Sequence, residues 1–148
     1  MTGDPFDRND GCTMIVTCIA NTSGHHPRIF QSVGYSEQAA FQVTPGTEYV
    51  VYAMALLGLH LVLLLCDDTG RPNWYPASHF KIANSHLSPT WTYDLYRRDA
   101  RGLRAIWGYP EMVKNKSHND RLIAGASDAL RVFAEEVASL PLEQAAAL

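Results

Sequence analysis

Asp67 and Asp68 stand side by side after the most apolar stretch of the chain, and Trp74, Tyr75, His79 and Phe80 follow closely. Paired carboxylates can divide acid–base work when their surroundings push their pKa values apart. Neighbours in an extended segment point to opposite sides, so this pair is expected to form a solvated turn rather than a dyad. His25 and His26 precede Pro27 and would need a third ligand to hold a transition metal. No HExxH, HxH or Cys/His cluster accompanies them, so an exposed loop pair is expected and no metal site. His60 lies among aliphatics, as a core or edge histidine would. His79, His86 and His118 fall near turns, where titration near neutral pH is expected. No GxSxG is present, and Asp67 beside Cys66 opposes thiolate formation. Neither a P-loop nor a GxGxxG after a strand occurs. No catalytic residue and no cofactor is therefore expected, and the chain does not read as an enzyme.

A second grouping places Arg97, Arg98, Arg101 and Arg104 among Tyr93, Tyr96 and Trp107. Basic and aromatic residues together can grip single-stranded nucleic acid by charge and stacking. The formal net charge of −3, with Asp94 and Asp99 inside the cluster, argues against it. A solvated loop between two strands, with the aromatics buried beneath, accounts for the same residues. A peptide- or nucleic-acid-binding module using Arg97 to Trp107 remains the first alternative, and a metal-dependent enzyme using His25, His26 or His79 the second.

These residues need a frame. At 148 residues, 47% apolar and 18% charged, the chain is long enough for one ordered domain with a real core. Cys12, Cys18 and Cys66 form no CxxC pair, which fits a reducing compartment. The opening MTGDPFDRNDGC has early acids and no basic-then-apolar pattern, so a signal peptide is not expected and cytoplasmic residence is. Residues 1–13 are expected to be a flexible N-terminus, 14–140 a single α+β domain, and 141–148 a frayed tail.

Residues 14–21 read as a first strand, residues 28–35 as a second after Pro27, and 36–40 as a short helical turn. The stretch 49–66 meets the lower length limit for a membrane span. Gly58 and His60 interrupt it, and its first half is rich in Tyr and Val. Two paired strands folding back at Gly58 explain it without lipid. Both are apolar on both faces and so need cover on two sides. Residues 91–98 alternate as a strand, and 103–113 give a further strand ended by Gly108 and Pro110. One helix is expected over 117–139, because Leu122, Ala126, Leu130, Phe133 and Val137 fall on one stripe. Ser117 and Asp120 suit its start, and Pro141 stops it. That stripe is the expected lid on the outer face of the hairpin.

Within the frame, Asp67-Asp68-Thr69-Gly70 has the residues of a hairpin turn. Tyr75, Pro76, Ala77, Ser78 and Phe80, with His79 inserted, resemble the end of SH3-type small barrels, where a 3₁₀ turn leads into the last strand. The longer run D-x-x-G-x-P-x-W-x-P-A-x-x-F after an apolar hairpin is similar to small bacterial toxin-immunity proteins. The resemblance covers this stretch alone. The strands, the helix and the SH3-like corner together are expected to give an α+β fold: a curved antiparallel sheet or partly open SH3-like barrel, with a C-terminal helix packed on it. The toxin-immunity resemblance adds an expected role. It implies a binding protein that covers a toxin's active site. Trp74, Tyr75 and Trp91 are the expected partner-binding anchors, with Asp67 and Asp68 as a charged rim. Trp74 and Phe80 also suit core positions, because each buries a large area.

Overall fold

A computed structural model describes residues 13–21, 41–97 and 102–139. The strand expected over 28–35, the helical turn 36–40, His25, His26, Cys12, Arg98, Arg101 and most of both termini lie outside the described residues. Among the described residues the fold is α+β, with two antiparallel sheets that do not close into a barrel and three C-terminal helices. Among the described residues, eight strands precede the helices: β1 (Met14–Cys18), β2 (Glu48–Val51), β3 (Ala53–Leu57), β4 (His60–Cys66), β5 (Pro72–Pro76), β6 (Phe80–Asn84), β7 (Thr92–Leu95) and β8 (Leu103–Gly108). A 3₁₀ turn, Ala77–His79, links β5 to β6. The three-stranded sheet has the order β2-β1-β6, and the five-stranded sheet β5-β4-β3-β8-β7.

The apolar stretch 49–66 contains strands, as expected, and among the described residues no helix is long and apolar enough to cross a membrane. Gly58, at φ +60°, makes the tight return from β3 to β4. Tyr52 is the joint between the sheets. Before it, Val50 and Tyr52 face the helices; after it, Ala53, Ala55 and Leu57 do. The alternation slips by one residue there, as it must where one strand leaves a sheet and enters another. The Tyr52 N–H still bonds the Leu64 carbonyl at 2.8 Å, so the joint stays tied to β4.

Two cores explain why this stretch is apolar all round. Leu63 and Leu65 join Val16, Tyr49, Val51, Tyr75 and Phe80 between the sheets. Val62 and Leu64 join Trp74, Ile106, Leu122 and Phe133 beneath the helices. The side-chain period of two sends alternate β4 residues into different cores.

The single helix expected over 117–139 is split into α2 (His118–Ile123) and α3 (Ser127–Ala138), and a short α1 (Pro110–Lys114) precedes them, directly after β8. Gly125 causes the break. It stands at φ +83°, its N–H bonds the Leu122 carbonyl, and the Ala126 N–H reaches back to Arg121. This is the Schellman stop that glycine makes without strain. The stripe survives the break: Leu122 and Phe133 are buried, with Ala126, Leu130 and Val137 packed against the same core. Pro110 opens α1, where its missing N–H costs nothing.

Candidate functional site

The 66–82 stretch folds as a hairpin corner, and its two aspartates part company. Asp67 is buried, not solvated. Its Oδ1 accepts from the Thr69 N–H (3.0 Å) and hydroxyl, and its Oδ2 from Asn73 Nδ2 (2.9 Å) and the Tyr75 hydroxyl (2.7 Å). Burial pushes its pKa up, but the bonds from Thr69, Tyr75 and Asn73 outweigh it and hold the carboxyl below its ordinary value. Asp68 is exposed, yet both its oxygens are engaged. Thr44 Oγ1 and the Tyr49 hydroxyl each donate to it at 2.6 Å. The Tyr49 phenol is raised by burial first and by Asp68 second. Asp68 staples the 41–49 segment to the hairpin, Asp67 ties the hairpin to itself, and the two make no dyad.

The expected contact residues divide between faces. Tyr75 is buried in the core between the sheets and donates to Asp67. Trp74 points the other way, into the core beneath the helices, and its Nε1–H donates to Asn119 Oδ1 at 2.7 Å. Trp91 is half-buried, packed with Met54 against the core between the sheets. Asp67, Trp74 and Tyr75 thus turn inward, while Asp68 and Trp91 keep surface.

Other chemical candidates are also placed. His60 is exposed at the β3–β4 turn. His79 is buried, 4.9 Å from the Phe41 ring centroid. His118 is buried and bonded to the Tyr109 hydroxyl at 2.8 Å; burial lowers its pKa, and Glu111 and Asp128 oppose that. Burial first, then Asp67, raises the Cys66 thiol. Burial also raises Cys18. Among the described residues, no three His, Cys, Asp or Glu side chains stand together as metal ligands.

The arginine–aromatic grouping contributes to one surface whose extent the sequence did not show, and Tyr93, expected to be buried beneath a loop, is exposed on it. On the side of the five-stranded sheet away from the helices, Tyr93, Trp107, Met54, Leu63 and Tyr75 lie in one cross-strand row. Leu95, Ala105, Leu56 and Leu61 form the next. The three-stranded sheet covers the Leu63–Tyr75 end alone. At the other end Tyr93 and Leu95 are each 65% exposed, and Trp107, Met54 and Leu56 are half-buried. Exposed Arg97 and Arg104 stand at the same β7–β8 end. This is an apolar sheet face with a basic margin. No protein-family model, curated protein or solved structure matches the chain.

Proposed function

We propose that this is a small bacterial binding protein of the cytoplasm, an immunity protein that neutralises a toxin by covering its active site. The observation that carries the binding reading is the apolar face around exposed Tyr93 and Leu95 and half-buried Trp107, which the three-stranded sheet does not reach. An open patch of large side chains costs solubility unless a partner covers it. Its anchor chemistry, two aromatics in adjacent strands ringed by polar groups, is that of protein interfaces. The occupant is a protein with an apolar centre and an acidic margin that meets Arg97 and Arg104. Trp91 belongs to the proposed contact surface, and Asp68 lies away from it, at the β4–β5 turn. Asp67, Trp74 and Tyr75 act on it from behind, by fixing the hairpin. The toxin reading rests on the resemblance of residues 67–80 to immunity proteins, and the unpaired Cys18 and Cys66 suit a reducing compartment.

The same reading includes a finer fold: a partly open SH3-like barrel built from β1 to β6. The sheet switch at Tyr52 and the 3₁₀ turn between β5 and β6 support it. In it, β7 and β8 extend the barrel's second sheet, and this extension leaves the inner face uncovered.

A photo-crosslinker placed at Tyr93 in the native cell tests the function, with one at Lys114 as control. The proposal predicts a single protein trapped at Tyr93, absent at Lys114 and lost with Leu95→Asp. It also predicts that the trapped protein is toxic when made without this chain. Trapped nucleic acid, with an affinity that falls steeply with salt, would replace the proposal by the nucleic-acid module. Equal trapping at both positions would also overturn it.

A further inference from the structure

On the helix side of the same sheet, α1 and α2 leave a cavity of about 120 Å³. Its walls are apolar, with Ala55, Val62, Ile106 and Met112 among them, and Lys116 and Asn119 supply polar groups. Those polar groups are donors. The Trp74 indole N–H bonds Asn119 Oδ1, and an indole offers no acceptor, so this bond sets which way the amide lies. Asn119 Nδ2 is left with two N–H groups that no acceptor among the described residues takes. Lys116 Nζ lies over the Tyr96 ring, 5.5 Å from its centroid. No carboxylate among the described residues pairs with it. An apolar space with a cation and an amide donor at its polar side is complementary to an apolar body carrying an anionic head.

We propose that this cavity binds a small monocarboxylic acid whose body is a single ring or a short branched chain. The body fills the apolar space, and the carboxylate accepts from Lys116 Nζ and Asn119 Nδ2. Size sets the limit: an apolar cavity of roughly 150 Å³ takes up benzene, and a peptide segment would not fit. One cation matches one negative charge, which favours a carboxylate over a phosphate dianion. This site lies on the face opposite the proposed partner surface, and its test needs no partner.

The test is calorimetric titration of the full chain with phenylacetate, beside its neutral amide, phenylacetamide. Phenylacetate is expected to bind saturably and at least tenfold more tightly than the amide. Lys116→Gln, a change at an exposed position, should shrink that preference to threefold or less without altering the melting temperature of the free protein. Ala55→Leu, which fills the space, should abolish binding of both. Equal affinity for acid and amide overturns the proposal, as does absence of saturation with phenylacetate. So does an acid preference that Lys116→Gln leaves intact.

Discussion

Tyr75 and Tyr93 lie in one cross-strand row on one face of one sheet, yet Tyr75 is 2% exposed and Tyr93 is 65% exposed. Residue type and strand geometry are the same at both ends. What differs is the second layer. The β2-β1-β6 sheet lies over Leu63 and Tyr75 and stops short of Trp107 and Tyr93. Burial here belongs to the layer above rather than to the residue. The covered end therefore carries stability, and the exposed end is the proposed partner surface.

The comparison breaks most severely if cover is removed. Phe133 on α3 packs edge-on to Tyr52, ring centroids 5.0 Å apart, beneath the opposite face. Phe133→Ala is expected to destabilise by about 3–5 kcal/mol in urea unfolding. Asp67→Ala acts at the covered end. It removes the acceptor that the Tyr75 hydroxyl, Asn73 and Thr69 share, at a cost of about 3 kcal/mol. An Asp67→Ala protein as stable as the parent would mean that the hub holds nothing.

A smaller effect follows from pH. Burial is the main cause of the lowered His118 pKa, so the folded protein keeps this imidazole neutral where the unfolded chain charges it. Its contribution is complete above the ordinary value of 6.5 and is lost as pH falls toward the folded pKa. The melting temperature should fall over that window, and the fall should be shallower in His118→Gln. Asp67, also lowered, adds its loss only further down, below 3.8. The smallest change belongs to the open end: Leu95→Ser should alter stability by no more than about 0.5 kcal/mol while weakening partner binding. A large loss of stability there would show that the face is core.

Much of this was readable in advance. The two-faced apolarity of residues 49–66 requires cover on both sides, and two cores supply it. The helical stripe named the core side although Gly125 cuts the helix: Leu122 and Phe133 are buried and Ala126, Leu130 and Val137 pack against the same core, while buried Ala129 was missed. The glycine itself was a visible stop signal. Trp74 and Tyr75 could have been assigned to opposite faces from strand period alone. The open face could not. It depends on β8 pairing with β3 across 46 or more residues and on how far another sheet reaches. Asp67's burial was likewise hidden, because its partners Asn73 and Tyr75 meet it only when β4 and β5 pair.

Carbene footprinting, of the free protein and then of its complex with the partner trapped at Tyr93, tests the central claim most directly. The account predicts heavy labelling of Tyr93, Leu95 and Trp107 in the free protein and strong protection in the complex, with Phe133 and Tyr75 unlabelled in both. Labelling at Tyr93 and Leu95 that the partner leaves unchanged would contradict it.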